Sequence, residues 1–303
     1  MRISISSMDF IELFEPVVQK TLDDYDQKHM NVFLLQTNAN EFDYNSLIDR
    51  LLDPMIDFTL SRVTKSKFKD SPGGRASKMA RQKFRKVNEN KGELGELLLY
   101  CFLESHLNAP KVLTKYELKT SNNDYVKGSD GVHFLQVDEG EYQLIFCESK
   151  TYKNFTNALS DAFESIYYFK NEINKDGEYK AGLAFEKTII SAHLTNESFT
   201  DDELEFLKKL IYPSRDKNLE INDAFGIFIG YEITFDPNDK LKPPKRFKEE
   251  LKEEIRKYMD SNSHRIMDLI KKYNLEGHSF YIYIMPFTEI DKSRKKILKE
   301  VLE

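Results

Sequence analysis

A buried strand that ends in charged residues is the feature that most constrains the fold of this chain. The segment Glu141–Lys150 is apolar over residues 144–147 and then changes at once to Glu148-Ser149-Lys150. Side chains alternate between the two faces of a strand, so Glu148 and Lys150 share one face and Ser149 lies on the other. The sequence therefore predicts an acid and a base side by side at the end of a core strand.

A second strand precedes this one in a predicted hairpin. The segment Gly131–Asp138 has the composition of a strand, and a short turn through Glu139 links it to the next strand. In a hairpin, the entry of the first strand lies near the exit of the second. Asp130, at that entry, is therefore expected to converge with Glu148 and Lys150 at one end of the sheet.

A helix is predicted upstream of the hairpin. Its sequence, GELGELLLYCFLESHL (Gly92–Leu107), has apolar residues at helical spacing, and Asn108-Ala109-Pro110 ends it. Glu93 and Glu96 lie three residues apart near its start and share a face. Either acid could reach the strand ends, and the spacing alone does not choose between them; Glu96 is favoured because it lies deeper in the helix.

These residues have the chemistry of a metal-assisted hydrolytic site. The carboxylates of Asp130 and Glu148 suit a hard divalent cation, Mg²⁺ in the first place and Mn²⁺ as the alternative. Glu96 or Glu93 would complete the shell or hold a second ion. Lys150 would orient the attacking water and offset charge in the transition state. The predicted catalytic residues are Glu96, Asp130, Glu148 and Lys150, and the predicted metal ligands are Asp130, Glu148, Glu96 and Glu93.

The charge of the chain is unevenly distributed. The formal net charge is −6, yet residues 62–91 contain eleven basic and two acidic residues, a local charge of +9 that leaves −15 elsewhere. Such a run is often only a solvated surface. Here it leads into the helix that carries Glu93 and Glu96, and it would suit a phosphate backbone with little sequence specificity. The candidate nucleic-acid contacts are Lys78, Arg81, Lys83, Arg85 and Lys86.

The rest of the chain predicts an α/β fold with a mixed sheet flanked by helices. A smaller N-terminal region, residues 1–90, is expected to precede a domain of residues 91–303. The further predicted helices and strands are helices at Tyr44–Val63, Phe155–Ile173, Asp201–Ile211 and Lys245–Tyr273 and after Asp291, and strands at Thr188–Leu194, Ala224–Phe235 and Ser279–Phe287.

Several function classes are disfavoured by the sequence. The two cysteines cannot form a disulfide framework or a four-ligand zinc site. There is no signal-peptide pattern and no run of about 18 apolar residues, so the chain is expected in the cytoplasm and not in a membrane. It also has no Walker-type phosphate loop, and we expect no ATP hydrolysis.

The order and spacing of these motifs resemble a known superfamily. Asp130 followed by Glu148-Ser149-Lys150, behind a helix glutamate, resembles the PD-(D/E)XK nucleases, although Ser129 stands where that motif has proline. More specifically, GELGELLLYCFLE, GSDGVHF and ESKTY resemble the HamA effectors of Hachiman anti-phage defence, with the likeness clearest over residues 91–169.

The resemblance implies a restriction-endonuclease-like core and a metal-dependent DNA nuclease. It also implies a partner, a superfamily-2 helicase subunit of the HamB type that restrains or licenses the nuclease. Carried over by position, Asp130 and Glu148 would be metal ligands and Lys150 the catalytic lysine. Two alternatives stay open: a catalytically inactive nucleic-acid-binding or scaffold subunit, and an RNase or sequence-specific restriction endonuclease on the same core.

Overall fold

A seven-stranded mixed sheet organises the chain. The computed structural model describes residues 10–68, 74–84, 87, 92–118, 128–196, 200–211 and 220–303. Two short strands form a separate two-stranded sheet. In the described residues the strands are β1 (Phe14–Thr21), β2 (Lys28–Leu35), β3 (Thr37–Asn38), β4 (Glu41–Phe42), β5 (Lys111–Thr114), β6 (Gly131–Asp138), β7 (Glu141–Thr151), β8 (Glu220–Glu232) and β9 (Ser279–Phe287).

The strand order is β1-β2-β9-β8-β7-β6-β5. The central strands β2, β9, β8 and β7 are parallel to one another, whereas β1 at one edge and β6 and β5 at the other are antiparallel to their neighbours. Every residue of β9 is buried, as is the stretch 224–231 of β8. Parallel strands covered on both faces are expected to be apolar in this continuous way.

Helices cover both faces of the sheet. The helices described are α1 (Tyr44–Thr59), α2 (Arg62–Ser66), α3 (Gly74–Arg81), α4 (Glu93–Ser105), α5 (Lys115–Leu118), α6 (Phe155–Asn171), α7 (Leu183–His193), α8 (Asp201–Ile211), α9 (Pro244–Asn262), α10 (His264–Lys272) and α11 (Ile290–Leu302).

Ring contacts and close approaches show which face each central helix covers. On one face, α4 packs on β7 and β8, and a Cβ atom at Gly226 would lie only 3.2 Å from the Leu103 side chain. On the other face, α6 packs on the same strands, and the ring of Phe163 contacts that of Phe280 at 5.4 Å between centroids. The predicted α/β fold with a mixed sheet flanked by helices is therefore confirmed.

Most predicted helices and strands are present, but three predictions were wrong. The helix predicted over Tyr44–Val63 ends at Thr59, and a separate helix, α2, begins at Arg62. The segment Thr188–Leu194, predicted as a strand from its adjacent isoleucines, lies mainly in helix α7. The buried residues of α7 are Glu186 and Ile190, four apart, which is helical spacing. The single helix predicted over Lys245–Tyr273 is two helices, α9 and α10, separated at Ser263.

The N-terminal segment contributes two strands to the same sheet. β2 pairs in parallel with β9, and β1 pairs with β2, so residues 14–35 form one side of the sheet. The sequence predicted no strand there. The domain boundary expected near residue 90 stays a prediction, and strands from both sides of it belong to one sheet. None of the helices in the described ranges is long and apolar enough to cross a membrane.

A buried lysine on the edge strand β5 contacts the C-terminal end of helix α1. Lys111, on β5, is 1% exposed. Its ammonium donates to the carbonyl oxygens of Asp57 at 2.8 Å and Leu60 at 3.1 Å, at the C-terminal end of α1. A cation in this position satisfies carbonyl groups that the helix leaves unpaired and complements its dipole.

We predict that Lys111→Met destabilises the fold. The substitution keeps the apolar stem but leaves two buried carbonyl groups without their cationic donor, and the free energy of unfolding should fall by about 2–4 kcal/mol. Chemical denaturation followed by circular dichroism measures the change. Lys292→Met, at an exposed pair with Glu289, is the control and should change stability little. Equal effects of the two substitutions would contradict the role given to Lys111.

Candidate active site

The start of β6 and the end of β7 are tied together through Asp130. Its backbone N–H donates to the carbonyl oxygen of Cys147 at 2.9 Å. Its carboxylate oxygen Oδ2 accepts from the backbone N–H of Ser149 at 2.9 Å and from the Ser149 hydroxyl at 3.1 Å. The structure therefore brings Asp130 beside Glu148-Ser149-Lys150, as the hairpin predicts.

Glu148 and Lys150 form an ion pair at the end of β7. The Lys150 ammonium donates to Glu148 Oε1, and the two side chains are only 21% and 17% exposed, respectively. Burial, and then the charge of Asp130, raise the pKa of Glu148, while Lys150 opposes the shift. Burial lowers the pKa of Lys150, but Glu148 outweighs it, so this pKa lies well above its ordinary value. Lys150 is therefore a cation at neutral pH.

Glu96 joins the same cluster through a lysine that the sequence did not single out. The Lys115 ammonium donates to Glu96 Oε1 at 2.6 Å and to Asp130 Oδ1 at 2.9 Å. The Tyr116 hydroxyl donates to the other Glu96 oxygen at 3.0 Å. Burial raises the pKa of Glu96 to about 7 even though Lys115 opposes the shift.

Helix α4 approaches β7 closely because Gly95 has no side chain. A Cβ atom at this position would lie 2.8 Å from the Thr151 hydroxyl and 3.3 Å from Ser149. Ser149 and Thr151 thus face α4, while Glu148 points to the opposite face, as alternation predicts. This close approach lets the Glu96 carboxylate reach the strand ends.

The two glutamates of α4 are both buried, at 5% exposure for Glu93 and 6% for Glu96. It is Glu96 that shares Lys115 with Asp130. Glu93 lies near enough for its charge to add to the raised pKa of Glu96, after burial and the charge of Asp130. The structure thus places Glu96 inside the cluster and Glu93 next to it.

A further acid supports the loop that carries Asp130. Glu186, on α7, is 5% exposed and accepts from the Ser129 hydroxyl at 2.8 Å. Gly128, with a φ of +142°, lies so close to Glu186 that a Cβ there would be 2.2 Å from its carboxylate. Burial raises the pKa of Glu186 to about 7, and the hydrogen bonds from Ser129 oppose the shift.

Sequence reasoning missed Lys115, Tyr116 and Glu186 for identifiable reasons. Lys115 follows β5, a four-residue strand that was not predicted; pairing it with β6 would have placed Lys115 beside Asp130, because Thr114 pairs with Gly131. Glu186 lay just before a segment misread as a strand. Its four-residue spacing from Ile190 was the available signal of a buried helical face.

The basic segment lies against the cluster through Tyr116. Lys83 donates to the Tyr116 carbonyl oxygen at 3.1 Å, and the ring of Phe84 contacts that of Tyr116 at 5.1 Å between centroids. Lys78 is exposed on α3. The Arg81 guanidinium donates to the carbonyl oxygen of Glu303. The remaining candidates, Arg85 and Lys86, lie outside the described residues.

The donor chemistry of the cluster fits a hard divalent cation. Asp130, Glu148 and Glu96 offer carboxylate oxygens, the ligands that Mg²⁺ takes in proteins. As the side chains stand, no three acidic, histidine or cysteine residues in the described part of the chain are grouped to hold a metal ion. The Lys115 ammonium lies between Glu96 and Asp130 instead. The carboxylates are therefore of the type that binds Mg²⁺, but the Lys115 ammonium lies between two of them, Glu96 and Asp130.

The fold and this cluster define the class of protein. A seven-stranded mixed sheet flanked by helices, with acids and lysines at the end of one hairpin, is compatible with a nuclease-like core. The chain belongs to the HamA family, whose family model matches residues 8–301, nearly the whole chain. This membership makes the protein a component of Hachiman anti-phage defence. Neither a curated protein nor a solved structure gives a significant match.

We predict that Gly128→Ala disrupts the loop before Asp130. A side chain there combines a φ that L residues rarely adopt with a clash against Glu186, and the free energy of unfolding should fall by about 2–4 kcal/mol. Gly177→Ala is the matched control, because Gly177 also has a positive φ but open space around it. Chemical denaturation should show a cost of about 1 kcal/mol or less for this control. Similar losses for both variants would mean that the contact with Glu186 is unimportant.

We also predict that Glu186→Gln changes how stability depends on pH. The pKa of Glu186 rises from 4.5 to about 7 on folding, so its stabilising contribution is complete below pH 4.5 and is lost as pH rises through about 7. Glutamine still accepts from Ser129 and carries no charge. The variant should gain up to about 3 kcal/mol relative to wild type between pH 5 and pH 8. Thermal denaturation at both pH values measures this; a constant difference would contradict the prediction.

Proposed function

We propose that the protein is a metal-dependent nuclease that hydrolyses phosphodiester bonds of DNA in Hachiman defence, under the control of a superfamily-2 helicase subunit. The observation that carries the proposal is the position of Asp130, Glu148 and Lys150 at the end of one hairpin, with Glu96 of α4 joined to Asp130 through the Lys115 ammonium. Acids that serve only as a solvated surface need not be buried. Burying charged groups costs free energy, and such groups are found mainly at functional sites.

Asp130, Glu148 and Glu96 are the residues that would hold Mg²⁺ or Mn²⁺. When bound, such an ion polarises the phosphoryl group and makes its water a better nucleophile. Asp130 is held in place by the backbone N–H and the hydroxyl of Ser149, so the backbone of β7 provides part of its support. Glu96 is oriented by the buried side-chain hydroxyl of Tyr116.

Lys150 acts as a fixed positive charge. Its pKa lies well above the ordinary value, which makes deprotonation at neutral pH unfavourable and disfavours a role as general base. An ammonium at this place can orient the attacking water and offset negative charge that develops on the phosphoryl oxygens. The ion pair with Glu148 holds the ammonium at the strand end before substrate arrives.

The substrate strand would approach over the basic segment. Lys78 on α3 is exposed, and Lys83 lies next to the residues that contact Glu96. Contacts of lysine and arginine with phosphates carry little sequence information, so we expect weak sequence preference. Arg81 belongs to the same proposed surface, and its contact with the backbone oxygen of Glu303 would have to coexist with phosphate binding. Arg85 and Lys86 stay contacts predicted from the sequence alone.

A plasmid-degradation assay tests the proposal. Purified protein, alone and with its helicase partner, is incubated with plasmid DNA in Mg²⁺ or EDTA. Glu148→Gln and Lys150→Met should each reduce cleavage by roughly 100-fold or more, because each removes a charge needed in the transition state. Glu139→Gln, in the exposed turn of the same hairpin, and Lys153→Met, exposed just beyond β7, are matched controls that should cleave normally.

The alternatives correspond to other outcomes of this assay. Cleavage of RNA but not DNA would identify an RNase, and a fixed set of fragments would identify a sequence-specific endonuclease. Binding of nucleic acid without cleavage under any condition, including with the helicase partner and phage challenge, would indicate an inactive binding or scaffold subunit. Normal cleavage by both Glu148→Gln and Lys150→Met would overturn the assignment of this site.

A further inference from the structure

The pairing of β5 with β6 determines the position of Lys115. It is the first residue of α5 and follows β5 directly, and Thr114 pairs with Gly131 across the ladder. This register puts the start of α5 beside Asp130, at the entry of β6. Burial lowers the pKa of Lys115, but Asp130 and Glu96 outweigh it, so the side chain is a cation at neutral pH.

The contacts of Lys115 differ from those of Lys150. Lys150 pairs with a glutamate on its own strand, whereas Lys115 bridges carboxylates of two separate elements, Glu96 on α4 and Asp130 before β6. Both bridging contacts are short, at 2.6 and 2.9 Å, as expected of charge-assisted hydrogen bonds. A positive charge held between two carboxylates from different elements is in the place that a bound cation would take.

A metal ion and this ammonium would compete for the same carboxylates. The Lys115 ammonium lies 2.6 Å from Glu96 Oε1 and 2.9 Å from Asp130 Oδ1, so a cation that binds both oxygens would have to take its place. Like charges a few ångströms apart in a poorly solvated site repel strongly, which favours replacement.

We propose that Lys115 is an internal counter-ion that holds Glu96 and Asp130 together in the metal-free protein and that a divalent cation must displace. The inference rests on the proposed function, since it assumes that these acids bind a metal ion. Displacement is sterically feasible, because the Lys115 side chain is 20% exposed and a lysine has a long flexible stem. Lys115 thereby weakens metal binding and prevents the buried acids from repelling one another when no metal is bound.

Direct metal binding tests the inference without any activity measurement. Mn²⁺ affinity is measured by calorimetry, and by the electron paramagnetic resonance signal of free Mn²⁺, for wild type, Lys115→Met, Lys115→Arg and Asp130→Asn. Lys187→Met is the matched control: Lys187 pairs with Asp223 at 2.8 Å and is similarly buried, at 22% exposure, but Asp223 lies near the other end of the sheet. Thermal denaturation in EDTA and in Mn²⁺ is run on each protein.

Lys115→Met is expected to bind Mn²⁺ roughly tenfold more tightly than wild type, because no resident charge competes. It should also melt lower than wild type in EDTA and recover more on addition of Mn²⁺. Lys115→Arg retains the charge and should bind Mn²⁺ as weakly as wild type, and it serves as the folded variant if Lys115→Met does not fold. Lys187→Met should match wild type in affinity, and Asp130→Asn should lose binding.

The outcomes separate the two proposals. If wild type binds Mn²⁺ through Asp130 but Lys115→Met binds equally or more weakly, the counter-ion role is overturned and the metal site stands. If Lys115→Met cannot be purified folded, Lys115→Arg with a tenfold higher affinity than wild type would likewise overturn the inference, and unchanged affinity would support it. If no protein shows Asp130-dependent binding, the proposed metal requirement and the inference fail together.

Discussion

The charges buried at the end of β7 are the constraint on which the site depends. Removing carboxylates from water costs several kcal/mol each unless they are paired. Here Asp130, Glu148 and Glu96 are each paired with an ammonium, and hydrogen bonds from Ser149 and Tyr116 satisfy further oxygens. The acids and their partners come from α4, α5, β7 and the loop before β6, so one electrostatic requirement fixes the relative positions of four parts of the chain.

The charged residues of the site lie where the parallel part of the mixed sheet meets its antiparallel part, at β7. The parallel strands β2, β9, β8 and β7 are apolar and covered by helices on both faces, which makes them a rigid base. The antiparallel additions β6 and β5 are joined to this base through β7 and end close together. Each contributes a charged residue just outside the ladder, Asp130 before β6 and Lys115 after β5. The four-residue strand β5 thus determines where the Lys115 ammonium lies.

Much of the site followed from local sequence, and what did not follow depends on long-range pairing. Asp130, Glu148 and Lys150 could be grouped because they belong to one hairpin, and the alternation of strand side chains fixed their faces. Lys115 and Glu186 reach the cluster from elements distant in sequence, and no local pattern reports such contacts. The wrong strand prediction at residues 188–194 has a similar cause. The pair Ile189-Ile190 has the composition of a strand, but only Ile190 is buried, together with Glu186, as on one face of a helix.

Tyr116 lies where the basic segment of the chain meets the acidic cluster. Its hydroxyl contacts Glu96 in the acidic cluster, and its carbonyl oxygen accepts from Lys83 of the basic segment. Positive and negative regions therefore meet at one residue and are not spread over separate surfaces. A polyanion attracted by the basic segment would be repelled by unpaired acids a few ångströms further on. The lysines inside the cluster reduce that repulsion, so the same ammonium groups that permit burial of the acids would also permit a phosphate to approach them.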